Sequence, residues 1–459
     1  MSSNPSPKPA TLKQRVLRAG GWSFAGYGAS QVVRLGSNLV MTRLLVPEMF
    51  GVMAIAGMVT IILALLSDIG LRQHIVQSRR GEDPVFLDTA WSVQIMRGLA
   101  LWLVALLLAL ALHAANARGM LPANTVYASA VLPLVIAISS FQAVIIGLQS
   151  TRIATAHRSF NQKRLAQTEL IAQFAGLVVM MALGFATRSI WALVAGGLVS
   201  SLTTTVLSHT WLSGHRNRFR WEKEALRELF DFGKWIFISS AVSVLAFNGD
   251  RILLGGLVDA RVLGLYSIAV LIVGAIQSAN SRFASTVSLP TLSEIARTEP
   301  ARLREIYYKL RLPVDGLLLF MAGFLFAAAQ LVIDLLYDPR YAETGGMLRI
   351  LALVFFAMRF DLAQQIYLAM GIPKYLTIIN VVRCISLYAL VPLLFHLGGT
   401  YAAIWGIALH STVTLPLVFY FNAKLGLNDL RRELLSLLIL PLGYAFGSLL
   451  NLLRVFGKA

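Results

Sequence analysis

Apolar runs of 18 or more residues recur from one end of this chain to the other, and they decide most of what it can fold into. Each run is long enough to cross a ~30 Å hydrocarbon core at ~1.5 Å of helix per residue. The runs must be helical, because lipid offers no partner to a free backbone N–H or C=O. Charged residues make up 14% of the chain, against roughly a quarter in an ordinary soluble domain. The expected fold class is therefore an all-α polytopic membrane protein.

Spans are expected near 20–43, 50–74, 89–113, 121–147, 167–186 and 189–213. A polar stretch from His215 to Asp231 follows. The second set lies near 233–257, 262–284, 312–337, 346–370, 375–396 and 399–422. A last apolar segment, 434–454, is either a thirteenth span or an interfacial helix, because Pro441 and Gly443 interrupt it. The organisation read from this is a tail (1–19), a six-helix lobe (20–213), a linker (214–232), a second six-helix lobe (233–424) and an extra C-terminal segment (425–459). The polar tail, with Pro5, Pro7 and Pro9, resembles no cleavable signal peptide and reads as a cytoplasmic tail before a signal anchor.

The formal charge of +18 raises the question of nucleic acid. Its distribution excludes that reading. With the N-terminus in the cytoplasm, 26 Lys and Arg fall on the tail and alternate loops, in clusters such as Arg72/Arg79/Arg80 and Arg216–Arg227. Arg297–Arg311 forms another such cluster. The opposite loops hold six: Arg43, Arg118, Arg188, Arg261, Arg340 and Arg349. That is the bias of cytoplasmic loops in membrane proteins, and contact with anionic membrane lipids accounts for the basic excess.

The two halves repeat. A shift of 213 residues lays Trp22 on Trp235, Phe24 on Phe237, Ser30 on Ser243, Gly51 on Gly264, Ile55 on Ile268 and Ala56 on Ala269, without a gap. Six spans per half make these parallel repeats, as in two-lobed transporters.

Specific motifs carry a resemblance. Asn248-Gly-Asp250-Arg251, continuing to Leu263-Gly264-Leu-Tyr266-Ser-Ile-Ala269, resembles the seventh-helix signature of polysaccharide-unit flippases. The stretches Arg43–Ala56, Ser67-Asp68-Ile-Gly70-Leu71 and Leu348–Lys374 are also similar to that family. It is the lipid-linked oligosaccharide branch of the multidrug/oligosaccharidyl-lipid/polysaccharide exporter superfamily. The resemblance implies twelve core helices in two lobes and a location in the bacterial inner membrane. It implies transfer of an undecaprenyl-pyrophosphate-linked repeat unit from the cytoplasmic to the periplasmic leaflet by alternating access, for O-antigen, lipopolysaccharide or exopolysaccharide synthesis. A polysaccharide polymerase and a chain-length regulator would be its partners.

Charges inside the bilayer are costly and mark cavities or partners. Here they are Arg34, Arg97, Asp250, Arg251, Arg359, Asp361 and Arg383. Under the repeat, Arg251 falls on Asn38, one helical turn beyond Arg34 on the same face. The first helix of each lobe thus offers an arginine from an equivalent face. Arg34, Arg97, Arg251 and Arg359 are the expected cationic contacts for a pyrophosphate, since the guanidinium fork donates paired hydrogen bonds and stays charged. Asp250 and Asp361 are the expected ion-pair or coupling residues. Snorkelling to the interface competes for Arg251.

No P-loop, no Ser/His/Asp arrangement and no Cys/His metal spacing occurs, and Cys384 is the lone cysteine. Catalytic residues, metals and cofactors are therefore not expected. Three alternatives stay open: a peptidoglycan-precursor flippase, a multidrug/cation antiporter, and a membrane polysaccharide polymerase or ligase. The short non-cytoplasmic loops weigh against the last.

Overall fold

The structure, a computed structural model, describes residues 12–66, 71–78, 80–159, 161–229 and 248–456. Among these residues there are helices and no strands. Ser67–Gly70 of the family-like motif and most of the span expected at 233–257, with Trp235, Phe237 and Ser243, lie outside the described residues, as do residues 1–11 of the tail.

Two compact units form. Unit 1 is bounded as Met1–Leu45, Ala56–Met120 and Ala130–Val242. Unit 2 is Val46–Ile55, Leu121–Ser129 and Ser243–Ala459. Two short pieces of the first repeat are thus packed within unit 2.

In order, α1 is Leu12–Leu44, α2 Pro47–Leu66, α3 Leu71–Gln77 and α4 Pro84–Ala117. The start of α4 follows from local chemistry. Pro84 pre-sets the first helical φ, and Asp83 accepts from the Val85 N–H at 3.0 Å. Leu99, Leu103, Leu107 and Leu110 then lie exposed along one face of α4. In water that stripe would be a liability; in lipid it is the outer wall. The fourth expected span, 121–147, differs from expectation. Its first part is a 3-10 turn, Val126–Ala128, and the helix is split into α5 (Leu132–Ser139) and α6 (Gln142–Gly147), bent 62° from α7 (Arg152–Arg158). Unit 1 closes with α8 (Gln162–Thr187) and α9 (Trp191–Thr210).

In unit 2, α10 (Ala260–Phe283) begins at Asp259, whose carboxylate accepts from the Val262 N–H at 2.8 Å. It continues through a π-helical stretch, Ala284–Ser288, into α11 (Leu289–Thr298). The long helix α12 runs Leu303–Leu336. The span expected at 346–370 is three short pieces, α13 (Thr344–Leu351), α14 (Val354–Met358) and α15 (Asp361–Ala369). Next comes α16 (Pro373–Leu409), interrupted at Gly398 and Gly399, where φ is +71° at the second glycine. Gly406 packs back on Leu390 and Leu394. The chain therefore reverses at the glycine pair, so the expected pair 375–396 and 399–422 is a hairpin completed by α17 (Leu415–Lys424). Eight helical segments among the described residues are long and apolar enough to cross a membrane, or nine counting the bent pair.

The last apolar segment folds as α18 (Leu430–Leu437) and α19 (Ile439–Phe456), together one apolar helix of spanning length. Its neighbours give its direction. Glu433 meets Arg311, Gly443 meets Phe320, Gly447 meets Phe324, Asn451 donates to the Ala327 carbonyl, and Arg454 meets Asp334. Both sequences rise together, so α18 and α19 together run parallel to α12 along about 30 Å of helix. Gly323, Gly443 and Gly447 allow the approach: a Cβ on any of them would run into backbone of the facing helix. This small-residue seam is how helices associate where lipid removes the hydrophobic drive.

Candidate functional site

The polar side chains of unit 1 fall into two groups. Arg97 on α4 donates to the Ala64 carbonyl at 2.7 Å. Ala64 lies in the last turn of α2, where carbonyls lack helical partners, so Arg97 caps that helix. Arg34 on α1 is exposed, and among the described residues its guanidinium makes no hydrogen bond or ion pair. Of the two arginines expected in this unit, one is committed to backbone and one is open.

The second group is an ordered strap. Residues 214–229 of the expected linker are tied along one end of unit 1. Asp88, 4% exposed, lies 2.7 Å from His215 Nε2 and accepts from the Arg218 N–H at 2.8 Å. The Arg220 N–H donates to Ser92 Oγ, and Asn217 bridges Ser150 and Thr151. Arg152 donates to the carbonyls of His209, Leu212 and His215. Arg80 pairs with both Asp83 and Glu222. The hydrogen bond from Arg80 holds the Asp83 carboxyl below its usual range.

In unit 2, Asp250 accepts from the Tyr266 hydroxyl at 2.5 Å. This leaves the adjacent Arg251, half-buried, with no hydrogen bond or ion pair among the described residues. Asp361 accepts from Gln364 at 3.0 Å and from Arg383 at 3.3 Å. Asp361 has an arginine partner, while Asp250 is bound to a phenol.

Arg359 is placed differently from expectation. It occupies the turn between α14 and α15, is 2% exposed, and donates to Glu433 at 2.6 Å and to Ser436 at 3.0 Å. It belongs to a buried quartet with Arg311, Asp315 and Glu433. Arg311, counted by sequence among the basic loop residues, is 0% exposed. The ring of Phe360 lies between the two guanidiniums, 4.4 Å from that of Arg311 and 4.7 Å from that of Arg359. Two positive and two negative charges cancel, so this cluster holds α18 to α12 and offers no net cation. Sequence reading missed Arg311, Asp315 and Glu433. The i,i+4 spacing of Arg311 and Asp315 was the available signal, but it equally fits a solvated helix face. Tyr266 stood inside a quoted motif without a role.

No group of His, Cys, Asp and Glu among the described residues is arranged to hold a metal ion. The expected cationic contacts thus divide: Arg34 and Arg251 are open, while Arg97 and Arg359 are engaged by the protein.

Comparison with known proteins places this geometry. A succinoglycan biosynthesis transport protein, ExoT of Rhizobium meliloti (strain 1021), is 24% identical over 360 residues, covering 75% of this chain and 67% of the relative. The lipid II flippase MurJ in an inward closed conformation superposes with a TM-score of 0.62 at 13% identity, covering 95% of this chain and 99% of MurJ. An inward-facing multidrug resistance transporter of the MATE family and MOP superfamily gives 0.59 at 14% identity, covering 86% and 94%. These likenesses show a shared fold. Residues 40–346 match the polysaccharide biosynthesis protein family, and the chain is a multi-pass membrane protein that belongs to that family.

Proposed function

We propose that this protein is a flippase that moves an undecaprenyl-pyrophosphate-linked oligosaccharide from the cytoplasmic to the periplasmic leaflet of the bacterial inner membrane, for surface polysaccharide synthesis. The observation that carries the reading is the state of Arg251. Its neighbour Asp250 accepts from Tyr266, and Arg251 makes no hydrogen bond or ion pair among the described residues of a chain built for lipid. Such a charge calls for an anionic partner, and the pyrophosphate of a lipid carrier is one. Arg34 is likewise open in unit 1. Family membership and the succinoglycan transport relative supply the polysaccharide context.

Alternating access, with the N-terminus cytoplasmic, is the mode of movement proposed. The second reading is a peptidoglycan-precursor flippase, favoured by the likeness to MurJ. The polysaccharide family match weighs against it.

The test is deletion of the gene, with identification of the lipid-linked glycan that accumulates, followed by complementation with Arg34→Ala and Arg251→Ala. A polysaccharide repeat unit should accumulate, and each variant, present at the parent level, should restore less surface polysaccharide. Accumulation of a peptidoglycan precursor supports the second reading. Full complementation by both variants removes the arginines from the account.

A further inference from the structure

Positions related by the 213-residue repeat meet one another at one end of unit 2. Helix α2 starts at Pro47 and α10 at Ala260, which are repeat equivalents. Gly51 and Gly264 are equivalents too. A Cβ on Gly51 would overlap the Ala260 carbonyl and crowd the Gly264 N–H. A Cβ on Gly264 would overlap the Pro47 carbonyl and crowd the Gly51 N–H. Each clash is the image of the other, so the repeat's two-fold relation passes between these glycines, where the two backbones touch.

The two 3-10 turns at this end, Val126–Ala128 and Pro339–Tyr341, are also offset by 213 residues. Each reaches across to the other repeat. The Tyr127 hydroxyl donates to the Ile252 carbonyl at 3.0 Å, and its ring fills the space a Cβ on Gly255 would need. The Val126 N–H donates to the Val258 carbonyl at 3.1 Å. From the second repeat, Tyr341 sets its ring against Phe50 of the first, centroids 6.2 Å apart.

We propose that Gly51 and Gly264 form a lock: α2 and α10 must touch backbone to backbone for this end to close, and parting the glycine pair is the step that opens it. Two physical features suit a reversible seal. The atoms nearest each glycine across the contact are backbone, so parting the pair requires no rotamer change of those atoms. The fit is also strict, because one methyl group meets a carbonyl that a helix cannot easily move. A protein that populates a closed and an open form responds to such a methyl by shifting toward the open one. The proposal needs no substrate, so it stands or falls apart from the flippase reading.

The experiment measures thiol labelling of the purified full-length chain in detergent, in a Cys384→Ala background. The reporter is Val258→Cys, at a position 4% exposed, modified by a water-soluble maleimide. Gly51→Ala and Gly264→Ala should each speed labelling about tenfold. Gly57→Ala and Gly274→Ala should leave it unchanged, since a Cβ there meets nothing within 4 Å. A second reporter, Ile366→Cys, is buried in the core of unit 2, and it should stay protected throughout. Unchanged Val258→Cys labelling in both glycine variants overturns the lock. So does a parallel rise at Ile366→Cys, which would mean general loosening. If neither glycine variant accumulates, Tyr127→Ala decides: it removes the ring from Gly255 and adds nothing, so faster labelling supports the lock and unchanged labelling overturns it.

Discussion

Arg311 and Glu433, 122 residues apart, form a two-pronged ion pair of 2.5 and 2.9 Å in the buried seam between α12 and α18. Glu433 also accepts from Arg359 and from the Tyr308 hydroxyl, so four donors converge on one carboxylate. Breaking a buried pair from one side strands the remaining charges. Glu433→Ala should cost about 3–5 kcal/mol, read as a marked fall in melting temperature in detergent. Replacing Arg359 and Glu433 together with Met should recover most of the loss. A Glu433→Ala protein as stable as the parent would show that the quartet contributes little.

The strap over unit 1 gives a second prediction. Asp88 is buried and holds both His215 and the Arg218 N–H. Asp88→Ala leaves that N–H without its acceptor, at about 1–3 kcal/mol. Trypsin should then cut at Arg216, Arg218 and Arg220 several times faster than in the parent. An unchanged cleavage rate would mean that the strap is held without Asp88.

A pH response follows from the same region. The folded protein lowers the Asp83 carboxyl through Arg80. The sign is that of a depressed acid: its contribution is complete above the usual carboxylate range near ~3.9 and is lost as pH falls through the lower folded value. Tryptic or peptic access to residues 214–229 should therefore be flat from neutral pH down to mildly acidic pH. It should rise only below the usual carboxylate range, and Arg80→Ala should remove the Asp83-dependent part of that rise.

The fold class was legible because length and hydropathy constrain lipid-spanning helices more tightly than any other element. One correspondence of the sequence repeat has a visible packing reason: the equivalent positions Gly51 and Gly264 meet backbone to backbone. Breaks were harder to read. Nothing in the apolar run 346–370 signals two turns, yet α13, α14 and α15 part there, and Arg359 occupies one of the turns. The site was legible only as a list of charges. Sequence locates Arg34, Arg97, Arg251 and Arg359 within the apolar runs, but engagement depends on distant partners. Arg97 is capped onto Ala64 from 33 residues away, and Arg359 is bound by Glu433 from 74 residues away.

The direct test of the flippase reading is reconstitution. Purified protein in liposomes would be given a fluorescent undecaprenyl-pyrophosphate oligosaccharide, and the fraction reached by an added glycosidase would be followed over time. The account predicts that lipid shielded in the inner leaflet becomes accessible at least tenfold faster than in protein-free liposomes, with Arg251→Ala close to background. Equal rates with and without the protein would contradict it.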